Sequence, residues 1–195
     1  TNVVSNFTEI IFTLISGSPC VWIFDHATDT ILRYKYTSKI QSEGLFQWIV
    51  KYRRNKLTPY WVSEPIPDEE TITRHPKGFK RVVANTYLEY TTNPDKDLMM
   101  LVHGEYCSFC DHLVAFLQKN APHITTLNPG IEFSYISIQR NEIPYRNVKA
   151  VPTLFFFKKG NSVPLIINAL TVSELMAFLS ENVSFSWVDT HRGEL

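Results

Sequence analysis

Hydrophobic spacing divides the chain into two successive series of elements. The run Leu98-Met99-Met100-Leu101-Val102 is continuous and apolar and reads as a strand. Leu113, Val114, Phe116 and Leu117 then recur at helical spacing, which predicts a buried helix. A Pro-Gly turn at 129 and 130 precedes the alternating strand Ile131 to Ile138, with Phe133 and Tyr135 between. Val151-Pro152-Thr153 opens the strongly apolar strand Leu154 to Phe157, which Lys158-Lys159-Gly160 closes. A strand from Val163 to Asn168 and a helix from Val172 to Leu179 complete this series. Ahead of it, Phe79 to Val83 reads as a first strand and Ala84 to Thr91 as a short helix, followed by a turn at Asn93-Pro94-Asp95.

Residues 1 to 62 repeat part of that order. Ser18-Pro19-Cys20-Val21-Trp22-Ile23-Phe24 reads as a strand, Thr28-Asp29 as a turn, Ile31 to Tyr36 as a second strand and Leu45 to Val50 as a helix. This matches the succession from Val151 to Leu179, with Pro19 in the place of Pro152. Phe7 to Leu14 is expected to be a helix leading into the Pro19 strand. The polar stretch from Ser63 to Glu70, with its prolines and acids, suits a linker, which we place at 63–78.

Composition narrows the class without naming it. With 195 residues, 44% hydrophobic and 13% aromatic, the chain can bury a sizeable core in one or two domains. Its formal net charge is zero, which gives no electrostatic basis for nucleic acid or an anionic membrane as partner. Ile10 to Ile15 and Leu154 to Phe157 are too short to span a bilayer, so no transmembrane segment is expected.

The chemistry is concentrated at Cys107-Ser108-Phe109-Cys110, between the apolar strand and the helix. Cysteines at this spacing put both sulfurs on the first helical turn, within bonding reach. There the free N–H groups and the positive end of the helix dipole favour a thiolate on the first cysteine. The same spacing also serves as half of a zinc site or as a structural loop. A zinc site of the usual kind needs four ligands, and the other cysteine, Cys20, is remote, with His103 and His112 the nearest histidines. No metal site is expected. Cys20 itself reads as a buried free thiol, and Arg53-Arg54-Asn55-Lys56 as a solvated helix end.

The succession strand, CxxC, helix, strand and Val-Pro-Thr-Leu-Phe-Phe-Phe-Lys-Lys-Gly is similar to the thioredoxin fold, an α/β fold with a central mixed sheet flanked by helices. The resemblance implies that Val151-Pro152 is a cis bond facing the cysteines, and that Tyr106, Val151 and Pro152 contact substrate. Taken with the upstream repeat and the passage Leu45 to Asp68, the chain resembles the C-terminal part of a protein disulfide isomerase. Residues 1–62 would then be the second half of a non-catalytic thioredoxin-like domain, 79–188 a thioredoxin domain and 189–195 a tail. The activity implied is thiol-disulfide exchange, with Cys107 attacking and Cys110 resolving, and no cofactor beyond the redox-active disulfide. Client proteins with disulfides or unfolded segments, and glutathione or another oxidoreductase, are the partners expected.

Several residues depart from the family pattern. Ser108-Phe109 stands where strongly oxidising isomerases have Gly-His, so no imidazolium flanks the thiolate and a less oxidising couple is expected. Tyr106 replaces the usual Trp, though an aromatic there could still cover the sulfurs. Leu101 falls where active members carry a buried Glu, and Leu170 where they carry an Arg that assists ionisation of the second cysteine. Ala115 replaces a helix-kinking proline. Slow turnover follows, with His103 or Glu105 as conceivable proton carriers but a solvated surface role expected of each. The alternative is a redox-weak chaperone or peptide-binding module, for which Phe46, Trp48, Tyr60, Trp61 and the apolar Phe7 to Leu14 speak; their spacing better fits a packed core. Family resemblance points to the endoplasmic reticulum lumen. The glycosylation sequons at Asn6 and Asn182 agree with it, while the terminal His-Arg-Gly-Glu-Leu is only loosely like a retention signal.

Overall fold

A computed structural model describes residues 8–15, 18–26, 30–68, 79–146, 148–168 and 171–187. It divides into two compact units, residues 1–61 and 62–195. Asn6, the turn at Thr28-Asp29, residues 69–78 of the expected linker, Leu170 and the whole expected tail 189–195 lie outside the described residues.

In the first unit, β1 (Thr8–Ile15), β2 (Ser18–Asp25) and β3 (Leu32–Tyr36) form an antiparallel sheet in that order, followed by α1 (Ser42–Arg53). The helix expected from Phe7 to Leu14 is instead the strand β1. The β-branched residues Thr8, Ile10, Ile11 and Thr13 favour extended backbone, and the backbone groups pair along β2 from Thr8 opposite Asp25 to Ile15 opposite Ser18. Ile10, Phe12 and Leu14 remain exposed, so no buried helical stripe forms. Val21 and Ile23 of β2 face a core with Tyr34, Tyr36 and Trp48, the Tyr36 and Trp48 rings meeting edge-on at 5.4 Å. Cys20 alternates to the opposite side of β2, so the free thiol is half-buried rather than buried. Trp48 and Trp61 are buried as expected of packed aromatics, whereas Phe46 stands exposed on α1. Arg53, Arg54, Asn55 and Lys56 form an exposed helix end, with Asn55 in the left-handed region.

The second unit has the α/β architecture that the resemblance implies, a mixed sheet flanked by helices. Its five-stranded sheet has the order β4-β6-β5-β7-β8, from β4 (Phe79–Arg81), β5 (Asp97–His103), β6 (Ile131–Ser137), β7 (Thr153–Phe157) and β8 (Leu165–Ile167). β4, β6 and β5 run parallel, while β7 and β8 pair antiparallel. A short 3-10 turn and α2 (Tyr87–Thr91) lie between β4 and β5, α3 (Ser108–Leu127) follows β5, and α4 (Val172–Asn182) follows β8. β8 is shorter than the expected Val163 to Asn168 strand.

β5 is central and buried from Asp97 to Val102, which explains its unbroken apolar run. Met99 and Leu101 face a core built with Leu113, Leu117, Ala121 and Ile124 of α3 and Leu175 and Leu179 of α4. Leu98, Met100 and Val102 face the other layer with Val82, Tyr87, Phe155 and Phe157. At the start of β5, Asp97 is fully buried and accepts three hydrogen bonds: from Lys159 N–H (2.8 Å), Ser184 N–H (2.6 Å) and Ser184 Oγ–H (2.7 Å).

Val62, expected at the end of the first unit, and the first residues of the expected linker are part of this unit. Val62 N–H donates to the Glu142 carboxylate at 2.7 Å and Glu142 N–H to the Val62 carbonyl at 2.9 Å. The Glu64 carboxylate pairs with Arg81 and accepts from the buried Asn141 amide at 2.9 Å. Burial would raise the Glu64 carboxyl, but the Arg81 and Asn141 hydrogen bonds and the nearby guanidinium charges outweigh it and hold it below the usual carboxylate range. Glu132 behaves alike, half-buried between Lys80 (3.0 Å) and Lys96 (3.2 Å), whose ion pairs depress its carboxyl despite desolvation. A depressed folded value contributes stability that is present above the unfolded value, about 4.3 for Glu. It is lost as pH falls through the folded value. Acid titration followed by circular dichroism should therefore show declining stability below about pH 5, with a shallower decline and a lower neutral-pH baseline in the Glu64→Gln/Glu132→Gln double variant.

Candidate active site

The two cysteines sit where β5 hands over to α3. Cys107 is the N-cap of α3, in extended conformation, and its Sγ accepts the Cys110 N–H at 3.1 Å. The sulfur therefore takes one of the donors that a helix start leaves unpaired, a contact that favours negative charge on it. Cys107 and Cys110 form a disulfide, with Cα atoms 5.1 Å apart. Their exposure differs: Cys107 is half-buried and Cys110 has no exposed surface. That asymmetry follows from helix geometry, because Cys110 shares the inward face with Leu113 and Leu117.

Around the pair, Tyr106 is fully exposed and has φ of 57°. Left-handed backbone turns its ring into solvent, so the expectation that it covers the sulfurs is not met. Ser108 and Phe109 are exposed as well, and no imidazole lies between the cysteines. His112, one turn on, is tied through Nδ1 to the Ser108 carbonyl at 2.7 Å. Phe109, His112, Leu113 and Phe116 line a shallow hollow of about 90 Å³ on α3.

The Val151-Pro152 bond is cis. Thr153 pairs with Val102, so Pro152 enters the sheet beside the last residues of β5. A glycine permits this approach: a Cβ on Gly104 would stand 2.9 Å from Val151 Cγ2 and 3.0 Å from the Gln139 amide. Gly104 is a residue that the spacing of motifs did not single out; its one signal is an isolated glycine immediately after a buried strand.

Leu101 is completely buried between Tyr135 and Leu154 in the sheet register, so an apolar side chain occupies that place under the helix. Ala115 is exposed in regular helix, and the proline of α3 is Pro122 instead. Glu105 is on the surface and pairs with Arg140 at 3.1 Å. His103 does not have the solvated role expected of it. It is half-buried, its ring lies 5.5 Å from that of Tyr135, and its Nε2 has no hydrogen-bond partner among the described residues. Asn182 ends α4 with its amide donating to the Phe178 carbonyl at 2.9 Å. No cluster of metal-ligating side chains occurs among the described residues, and no described helix is long and apolar enough to cross a membrane.

The profile of the thioredoxin family matches residues 78–181. Among curated proteins, the chain is 25% identical over 146 residues to protein disulfide isomerase-like 1-4 of Arabidopsis thaliana, covering 75% of this chain and 24% of that protein. It is 26% identical to the probable protein disulfide-isomerase ER-60 of Schistosoma mansoni, over 66% of this chain and 25% of that one. Protein disulfide isomerase-like 1-5 of Oryza sativa subsp. japonica is 25% identical over 177 residues, 88% of this chain and 31% of the relative. The chain thus spans about a quarter to a third of the length of these relatives.

Proposed function

This chain belongs to the thioredoxin family, and from that premise we propose that Cys107 and Cys110 carry thiol-disulfide exchange on the disulfides of proteins folding in the secretory pathway. The observation that supports it is the paired yet unequal exposure of the two sulfurs at a helix start. In the reduced form, the Cys107 thiolate attacks a client disulfide. A mixed disulfide forms and one client sulfur leaves as a thiolate, which takes up a proton. Cys110 then loses its proton and attacks Cys107 Sγ. The Cys107–Cys110 bond forms and the second client sulfur departs, so the pair is oxidised by two electrons and the client reduced by two. The reverse sequence donates a disulfide.

Tyr106, Val151 and Pro152 are the proposed contacts for an extended client segment, with glutathione or another oxidoreductase restoring the pair. Turnover is slow, because the fully buried Leu101 offers no titratable group beneath the resolving cysteine. The couple is comparatively reducing, because Ser108 and Phe109 supply no positive charge to the thiolate. Residues 1–61, with the exposed Phe46 and the uncovered β1 face, support a second reading in which peptide binding outweighs redox work. The proposed compartment is the endoplasmic reticulum lumen.

Cys110→Ala decides between them. With the resolving sulfur gone, the variant should hold disulfide-bearing clients on Cys107 as covalent adducts, visible on non-reducing gels and released by reductant. Absence of adducts, with unfolded-peptide binding retained, would establish the peptide-binding module instead.

A further inference from the structure

Resolution of a mixed disulfide requires that the Cys110 thiol, which lies wholly inside the protein, give up its proton. Leu101 cannot accept it. Side chains alternate along β5, so His103 falls on the same face as Met99 and Leu101, which pack with Leu113 and Leu117 of α3, and the charge of Asp111 on α3 acts on its ring; Cys110 lies on the inward face of α3. His103 is two residues beyond Leu101 on that face, at the end of the strand that feeds the cysteine loop. Its ring is against Tyr135, its backbone pairs opposite Ser137, and its buried Nε2 has no hydrogen-bond partner among the described residues.

The imidazole also has an outlet. His103 lines an open hollow of about 190 Å³ with the polar residues Glu64, Arg81, Glu105, Tyr135, Ser137 and Arg140. That space is large enough for several waters, each occupying roughly 30 Å³. Its walls carry the Glu64–Arg81 and Glu105–Arg140 ion pairs.

We infer that His103 is the proton acceptor for Cys110 during resolution, and that the open hollow beside it returns the proton to solvent. This inference rests on the exchange activity proposed above. The proton leaves the Cys110 sulfur for the free imidazole nitrogen, giving an imidazolium and a thiolate. The thiolate attacks Cys107 Sγ, the Cys107–client bond breaks, and the imidazolium discharges its proton through the hollow to water or to the departing client thiolate.

Electrostatics suit the role. Burial lowers the His103 imidazole below its ordinary value, outweighing the opposite pull of its hydrogen bond to the Gly104 backbone and of the Asp111 and Glu64 charges, while Arg81 lowers it further. The facing groups are therefore Asp111 from α3, Arg81 from β4, Tyr135 from β6 and Glu64 from the segment before β4, with Glu105 and Arg140 at the wall of the hollow. The ring is neutral, and able to accept, at neutral pH.

The test follows the glutathione adduct of the reduced chain after mixing with glutathione disulfide, by acid-quenched mass spectrometry across pH. In the parent, adduct decay should rise with pH, then level off below about pH 6.5, once His103 is neutral. In His103→Asn, decay at pH 7 should be slower by about tenfold or more and should keep rising with pH until the thiol ionises unaided. Adduct formation on Cys107 should change little. In His103→Ala, added imidazole should restore the decay rate. A parent-like pH profile in His103→Asn overturns the assignment, as does failure of imidazole rescue in a folded His103→Ala protein; should that variant not fold, the His103→Asn profile decides alone. If the parent forms no adduct, the exchange reading fails and this inference falls with it, a result distinct from an adduct whose decay ignores His103.

Discussion

Cys107→Ser should reduce thiol-disulfide exchange to the uncatalysed rate, a loss of about three orders of magnitude or more, because a serine hydroxyl does not ionise near neutrality. The geometry makes this loss specific to the attacking position. Cys107 is the half-exposed sulfur and the one that caps α3, while Cys110 has no exposed surface from which to meet a client. Cys110→Ala also removes the internal disulfide, yet it should still become covalently loaded. Any cost in stability from losing the cross-link is common to both variants, so the contrast isolates the nucleophile. Reduction of an aromatic disulfide reporter, dithiobis(nitrobenzoate), read by the absorbance of the released thiolate, gives the rate. Retention of substantial turnover in Cys107→Ser would mean that Cys110 reaches substrates directly, contrary to its burial.

The largest stability effect is expected at Asp97. Asp97→Ala should cost about 3 kcal/mol in urea denaturation, or roughly 10 °C in Tm, by removing a fully buried charged acceptor and with it three hydrogen bonds. Their donors belong to Lys159, just past β7, and Ser184, just past α4, so one carboxylate joins the start of β5 to two later parts of the chain. Asp97→Asn is the informative companion. Its amide oxygen can keep the two donors on Oδ1, but its NH2 then faces the Ser184 N–H. An intermediate loss is expected. Asp97 stands at the far end of β5 from His103, about 20 Å away at the usual strand rise, so exchange per folded molecule should be unchanged. A variant as stable as the parent would show that the carboxylate contributes nothing net over an apolar replacement.

Much of this site could be read along the chain because its parts are local. The apolar run before Cys107, the helical spacing after Cys110 and the Val-Pro-Thr start of β7 each declare themselves within a few residues. What escaped depends on partners far away in sequence. Glu64 reads as one more acid in a proline-rich stretch, and only the fold brings Arg81 and Asn141, the latter 77 residues on, against its carboxylate. His103 reads as a solvated surface residue; its burial comes from the parallel register that sets β6, with Tyr135, alongside it. Phe7 to Leu14 failed for another reason. Ile10, Ile11, Phe12 and Leu14 match neither period cleanly, and the choice falls to cross-strand pairing with β2, which no local window contains.

The segment ahead of β4 has a practical bearing on where this fold begins. Because Val62 and Glu64 are bonded to Glu142, Asn141 and Arg81, the smallest self-sufficient piece starts near Val62, seventeen residues before its first strand. A fragment trimmed to Phe79 would keep every strand and helix of the sheet and both cysteines. It would nonetheless lose the carboxylate that neutralises Arg81, and with it one wall of the hollow beside His103. Excision at the visible edge of secondary structure would then yield a protein that looks whole by circular dichroism and is impaired in the proposed proton transfer from Cys110.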